Sequence, residues 1–498
     1  MFLYNHLWRL LRKKNRSKVK NRLVSEQDKA KGASHVSDVL TINQLPNELI
    51  KKVIDYLSME DRITVRRLNR TWRQMSFKNI RELVVGNFFE QHEVFRRPLL
   101  CLNSENDLKS LKCFELVLEE SGNSLQTLFL MERLQSSKVN TGQDWKKLIS
   151  RISTCCPRLT GLYITDYSGF FSDIHLPLIK RFGPQLQMYG IESIAKKMNN
   201  PSLISLCINP QRLQALKCCV SSQLQLDEIA SNFPLLTTLW IKSTQDNDDF
   251  DLVCLEKLVH LKSLSLSCPD ISHPRFRALL NSTVVQRLHE MHLDCNCRKF
   301  SQSCLSLFEN LASLRCLKID ILKDFQLFLV LNPLKKRLEK LYLNLIIKSD
   351  DEITEKGLRT LSRLEKLTKL DLKIHVWRHI KCIFAYFDPM LSVTHLALCL
   401  KTLSKNPEDS LHESLRKDFL KLPVVFPNLI VFRLKLETNV LTDLEFFQNN
   451  LAFCIARMPR LRTLEVCHFL AKDMETRLFC KRREIKLRAF SSTCDNKH

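Results

Sequence analysis

LTTLWIKSTQDNDDFDLVCLEKLVHLKSLSL, residues 236–266, carries one pattern twice: Leu236-Leu239-Ile241 and then Leu261-Leu264-Leu266, each reading L-x-x-L-x-L. Working outward in both directions, the same spacing of apolar residues returns. Upstream it is Leu125-Leu128-Leu130 and Leu159-Leu162-Ile164. Downstream it is Leu288-Met291-Leu293, Leu314-Leu317-Ile319, Leu338-Leu341-Leu343, Leu367-Leu370-Leu372, Val393-Leu396-Leu398, Leu429-Phe432-Leu434 and Leu461-Leu464-Val466. From Leu236 to Val393 the unit recurs every ~24–29 residues, which is the period of a stacked-repeat architecture rather than of separate domains. The span 186–218 offers three overlapping versions. Leu186-Tyr189-Ile191 and Leu213-Leu216-Cys218 keep the period, while Leu203-Leu206-Ile208 matches better by residue type.

Each L-x-L core alternates as a strand does, and a helical segment fits ahead of it, as in Leu226–Phe233, Phe250–Val259, Cys304–Leu311 and Gly357–Leu364. Pro157, Pro201, Pro234, Pro427 and Pro459 fall just before strand starts, where helix continuation must stop. Neither the strand nor the helix of one repeat can bury its apolar side alone, so repeats stack into a parallel sheet over a continuous leucine core. The pattern resembles the leucine-rich repeat. That implies an α/β solenoid with parallel strands on the concave side and helices on the convex side. A bundle of amphipathic helices is the alternative fold, but it leaves the recurring L-x-L unexplained. Residues 402–418 read as a polar inserted loop.

Ahead of the repeats stands TINQLPNELIKKVIDYLSMEDRITVRRLNRTWRQMSFKNI, residues 41–80. Pro46 suits a helix start, and Leu49, Ile50, Val53, Ile54 and Leu57 then recur at helical spacing. Ser58 and Asp61 read as a cap for a second helix carrying Ile63, Val65 and Leu68. Trp72 and Met75 mark a third. The first helix is apolar over a wider arc than two short neighbours need, which suggests a second protein. The order Leu45-Pro46-Asn47-Glu48-Leu49, Ile54-Asp55-Tyr56-Leu57, Glu60-Asp61-Arg62 and Arg67 to Trp72 resembles the F-box. Asn69 and Arg62 depart from that family, which has a small residue and an apolar one there. A generic helical cap is the bland alternative for this stretch.

Composition removes several classes of function. Only 9 of 498 residues are glycine, with no G-x-G and no G-K-[ST], so phosphate-cradling loops are not expected. A net charge of +24 fits nucleic acid, acidic membrane or acidic protein partners without choosing among them. The 19 cysteines are scattered through repeat positions and read as reduced, small apolar residues of a cytoplasmic or nuclear protein. No secretory signal is read at the start, and no apolar run approaches the ~20 residues of a membrane span. Residues 1–40 form a basic, flexible tail with eight Lys or Arg between Arg9 and Arg22. It suits an import signal, a membrane-surface helix or a solvated arm.

No catalytic constellation and no cofactor is expected. His375 and His379 sit one helical turn apart, but the neighbouring residue is Val376 and not the glutamate a zinc protease needs. His289, His292, Cys295 and Cys297 look like metal ligands, yet His289 and His292 fall on opposite faces of a strand. What remains is a surface. Residues alternating with the buried leucines face the concave side, and among them Tyr163, Trp240, Lys242, His292, Lys318, Tyr342, Lys373, Arg433 and Lys435 are the candidate target-binding set, with Asp320, Lys340 and Lys369 beside them.

Resemblance to F-box proteins with leucine-rich repeats implies a non-catalytic substrate receptor of a Skp-cullin-F-box ubiquitin ligase. Leu45, Pro46, Glu48, Leu49, Ile50, Ile54, Leu57 and Trp72 are the residues expected to dock the Skp adaptor, or to hold the helices that do. Cullin and its RING subunit would follow through the adaptor, and the repeats would hold a protein target, with an acidic or phosphorylated one suiting the lysines. The expected organisation is a tail at 1–40, an F-box-like helical module at 41–80, a connector and the start of the repeats at 81–124, leucine-rich repeats at 125–470 and a basic tail at 471–498. A scaffold without ubiquitin transfer, and a basic nucleic-acid or acidic-surface binder, are the other classes. The last lacks a recognised module and regular aromatic interleaving.

Overall fold

The structure is a computed structural model, and it describes residues 45–55, 57, 59–78, 80–85, 99–100, 107–131, 141–166, 172–193, 208–243, 250–268, 273–294, 301–347, 352–376, 383–402, 409–436, 444–467 and 474–490. The chain divides into two compact units between Leu159 and Thr160.

The first unit opens with three short helices, α1 (Asn47–Asp55), α2 (Met59–Val65) and α3 (Arg70–Ser76). Pro46 starts α1 by accepting the amides of Leu49 and Ile50 through its carbonyl, both at 3.0 Å. Ile50, Ile54, Leu57, Val65 and Trp72 close into one buried cluster, with Leu45, Val53, Leu68 and Met75 packed around it. Strand β1 (Glu82–Val85) then pairs in parallel with β2 (Leu99–Leu100) on one side and β3 (Thr127–Met131) on the other. Helices α4 (Asp107–Ser121) and α5 (Thr141–Cys155) complete the unit. Gly122 lets their ends meet, because a Cβ there would run into the backbone of Cys155.

The second unit is a parallel sheet whose strands follow one another in chain order. They are β4 (Gly161–Asp166), β5 (Met188–Ser193), β6 (Ala215–Val220), β7 (Thr238–Ser243), β8 (Ser263–Ser267), β9 (Glu290–Leu293) and β10 (Cys316–Lys323). They continue as β11 (Lys340–Ile347), β12 (Lys369–Val376), β13 (His395–Thr402), β14 (Val431–Leu436), β15 (Thr463–Cys467) and β16 (Lys486–Phe490). The L-x-x-L-x-L leucines make its core: Leu162, Leu216, Leu239, Leu264, Leu317, Leu341, Leu370, Leu396 and Leu464 are all buried. Each is worth about 1.5–3 kcal/mol of apolar burial. The residue just before each strand adds a backbone brace. Thr237 accepts Lys262 and Ser263 amides at 2.8 and 3.0 Å, Lys262 accepts His289 and Glu290 at 2.8 and 3.0 Å, and His289 accepts Arg315 and Cys316 at 2.9 and 3.0 Å.

The ambiguity at 186–218 is resolved: β5 and β6 carry Leu186-Tyr189-Ile191 and Leu213-Leu216-Cys218. Residues 203–207 lie outside the described residues, and Ile208 is a bend rather than a strand. Two expectations change. Residues 409–418, read as polar loop, are the start of a helix, Asp409–Val425, held by buried Phe419, Leu422 and Val425. The helix stands beside a 3-10 turn, Ile383–Tyr386. Buried Asp418 fixes that turn by accepting the Phe384 amide at 2.8 Å. Residues 471–498, read as a tail, contain a helix, Met474–Arg482, and β16, which pairs in parallel with β15. The ordered stack therefore runs to Phe490.

Candidate functional site

The helices of the first unit sort the eight adaptor-docking candidates into two groups. Ile50 and Ile54 are each 2 % exposed, Leu57 8 % and Trp72 0 %, so all four are consumed by the module's own core and Leu45 is half-buried against it. Pro46, Glu48 and Leu49 are exposed, Leu49 at 44 % despite being fully apolar. The wide apolar arc read from the sequence is thus mostly internal packing. The outward part is the first turn of α1, Pro46 to Leu49.

Both departures from the family pattern have a structural reason. Asn69 caps α3: its Oδ1 accepts the Trp72 amide at 2.9 Å, which fixes the turn that seats the tryptophan. Arg62 is buried at 8 % exposure, and its guanidinium donates to the Leu57 carbonyl at 3.3 Å and the Ser76 carbonyl at 3.5 Å. One side chain thereby ties the end of the α1 turn to the end of α3. Burial lowers its pKa from the usual arginine value, and Asp55 partly opposes that. A cap residue and a buried cation are invisible in a pattern of apolar positions.

In the second unit, strand register lines up the target-binding candidates. One row crosses the sheet as Tyr163, Gly190, Lys217, Trp240, Ser265, His292, Lys318, Tyr342, Asp371, Ala397, Arg433, Glu465 and Arg488. Tyr163, Trp240, His292, Lys318, Tyr342 and Arg433 therefore share a single line. Lys373 and Lys435 sit on the next row out, flanking Cys399, and Lys242 lies beside Ser267. All nine candidates are half-buried. The side chain of Asp320 lies outside the described residues.

Their environments differ. Tyr163 and Trp240 meet edge to face with ring centroids 6.5 Å apart. The ring of Tyr163 lies across Gly190, where any Cβ would overlap it. His292 Nδ1 is 3.0 Å from Ser265 Oγ. Burial pushes the Tyr342 phenol up to about 12, with Cys316, Asp371 and Glu290 adding to the effect, so it stays a protonated donor at neutral pH. Arg433 gives Nε and Nη2 to one oxygen of Glu465 at 2.8 and 2.6 Å, so its guanidinium is engaged within the sheet. Gly190, Lys217, Asp371 and Glu465 belong to the same row but were not among the candidates. Only strand register, which needs the pairing and not the sequence, places them there.

Burial raises the thiols of Cys156, Cys254 and Cys316 to about 12 and that of Cys480 to about 11, far from nucleophilic thiolates at neutral pH. His289 stands just before β9 with His292 on it, and His375 is on β12 rather than a helix. Cys295, Cys297 and His379 lie outside the described residues. Among the described residues no helix is long and apolar enough to cross a membrane.

A family model described as "F-box domain" matches residues 42–81. No curated protein matches the chain. Several solved structures are similar in fold. A yeast structure described as a complex of Rad7 and Elc1 is 14 % identical over 78 % of this chain and 88 % of that one, with a TM-score of 0.43. An internalin of Listeria monocytogenes is 14 % identical over 85 % and 98 %, with a TM-score of 0.30. A Bacteroides fragilis protein is 13 % identical over 56 % and 66 %, with a TM-score of 0.26.

Proposed function

With an F-box domain at its head and leucine-rich repeats stacked behind it, we propose that this chain is the substrate-recognition subunit of a Skp-cullin-F-box type ubiquitin ligase. The observation that carries the reading is the first turn of α1. Its core-facing residues are satisfied within the three-helix module, yet Pro46 and Leu49 remain outside, within the span that matches the F-box model, and so are free to meet another protein. Leu49 and Pro46 seat the Skp adaptor; Glu48 borders them; Ile50, Ile54, Leu57, Trp72, Asn69 and Arg62 hold the geometry.

The chain contributes no reacting group. It raises the local concentration of a target's lysines around a ubiquitin-loaded conjugating enzyme carried by cullin and its RING subunit. The open face of the second unit holds the target. A cytoplasmic or nuclear setting fits this role.

The test is co-purification of the full chain with a Skp adaptor, cullin and RING subunit. Wild type and Trp240→Ala are expected to recover all three, and Leu49→Asp none, with an unchanged circular dichroism spectrum. Adaptor without cullin would make the chain a scaffold. No adaptor with wild type would overturn the reading.

A further inference from the structure

Two features of the open face are not needed by the fold. The first is Gly190. A glycine inside a strand costs roughly 0.5–1 kcal/mol relative to alanine and often marks a close approach. Its φ is not in the left-handed region, so backbone geometry does not demand it. What demands it is the Tyr163 ring, which occupies the space a Cβ would take and meets Trp240 edge to face. The result is a fixed aromatic pair on β4 and β7, with Lys217 between them in register.

The second is the pair Lys340 and Lys369, directly opposite each other on β11 and β12. Like charges so placed destabilise a sheet, and among the described residues neither lysine has an ion-pair partner. In register, Lys318 on β10 stands beside Tyr342 and Lys373 on β12 stands one row out, while Asp371 lies between Tyr342 and Ala397. Ser265 and His292 stand between the aromatic pair and these lysines, and Glu290 and Asp294 bracket the gap, accepting from Ser263 and Ser267 at 3.3 and 2.8 Å.

Building on the receptor reading, we infer that the open face binds one extended segment of a target protein, with an apolar side chain anchored against Trp240 and Tyr163 and a cluster of carboxylates over Lys340 and Lys369. Spacing follows from the sheet. Strands lie ~4.8 Å apart, so β7 to β11 is ~19 Å and β7 to β12 ~24 Å, which an extended chain at ~3.3 Å per residue covers in about six to seven residues. Glu290 and Asp294 repel acids within that gap, so the intervening residues are neutral. A single-stranded nucleic acid suits the face less well. Its phosphates would repeat across the gap beside both carboxylates, and the row lacks successive stacking platforms.

The probe is a fluorescein-labelled peptide with one Phe, a five-residue Gly-Ser spacer and four alternating Asp and Glu, made in both chain directions. It is measured by anisotropy against the full chain without adaptor. The expected result is micromolar or tighter binding, a loss of tenfold or more on removing the Phe or the spacer, and a comparable loss in Trp240→Ala. Gly190→Ala, which keeps both rings but displaces Tyr163, also weakens it, and Trp240→Phe restores much of it. Lys340→Glu with Lys369→Glu weakens it and flattens its salt dependence. Equal binding of the spacerless or scrambled peptide, indifference to both Trp240→Ala and the lysine pair, or tighter binding of an oligo-dT strand would overturn the inference. Adaptor co-purification of the same variants reports the ligase reading separately.

Discussion

Arg433→Met separates a structural arginine from a target-binding one. The guanidinium makes bonds of 2.8 and 2.6 Å to one oxygen of Glu465, whose side chain keeps 11 % of its surface while that of Arg433 keeps 35 %. Removing one member of a fully buried pair costs about 3–5 kcal/mol because the other charge is left unpaired. Arg433 is a third exposed, so water already screens part of the pair, and the expected cost is about 2 kcal/mol. Glu465→Gln keeps the shape and leaves a guanidinium that water can reach, so about 1 kcal/mol is expected. The double variant should lose less than the sum, giving a coupling of about 1 kcal/mol. Urea unfolding followed by circular dichroism measures all four corners of the cycle, and the peptide probe measures binding on the same samples. Arg433→Met should lower the unfolding midpoint and leave peptide affinity within twofold. A midpoint shift equivalent to under 0.5 kcal/mol, or zero coupling, would refute the assignment of Arg433 to the sheet rather than to the target.

Trp72→Ala removes the largest side chain of the three-helix cluster and should cost about 3–5 kcal/mol, melting the module and abolishing adaptor binding together with its helical signal. Leu49→Asp should abolish the same binding with the signal intact, and identical melting of the two variants would contradict the sorting of inner from outer residues. Asp418→Ala strands the Phe384 amide at a cost of about 1–3 kcal/mol, visible as faster hydrogen exchange at 383–387. Cys156, Cys254 and Cys316, raised to about 12, should resist iodoacetamide at pH 8 in the folded chain and react once it is unfolded. Because folding holds these thiols protonated, stability should fall as pH rises above the usual thiol range toward 12; stability that climbs in that window would show the thiols to be less buried.

The strands were legible because a leucine at a fixed offset is both the sequence signal and the physical cause of burial. Where the cause changed residue type, the signal failed. In β16 the pattern is Ile485-Leu487-Ala489 with lysine and arginine between, too few leucines to match the template, yet its register to β15 is complete. The helix 409–425 carries Leu411 and Leu415 at helical spacing ahead of Phe419 and Leu422, but the polar residues around the first two hid the period in the stretch read as loop. In the first unit, spacing showed that Leu49, Ile50 and Ile54 share a helix. Only the positions of α2 and α3 decide that Ile50 and Ile54 face in and Leu49 out. The row containing Gly190, Asp371 and Glu465 required pairing information that no single strand holds.

The brace of two amides on one carbonyl recurs at a single point of each coil, from Thr160 through Gln187, Gln214 and Thr237 to Ile430. The stack is metered at that point, and the strand ladders carry the register on from it. A coil that grows between one brace and the next, as from Thr394 to Ile430 compared with Lys262 to His289, restarts in phase because the next brace resets it. Length changes are therefore absorbed locally and do not accumulate along the array. Such a scaffold can lengthen or shorten one coil, and so reshape one stretch of its surface, while every other row keeps its alignment.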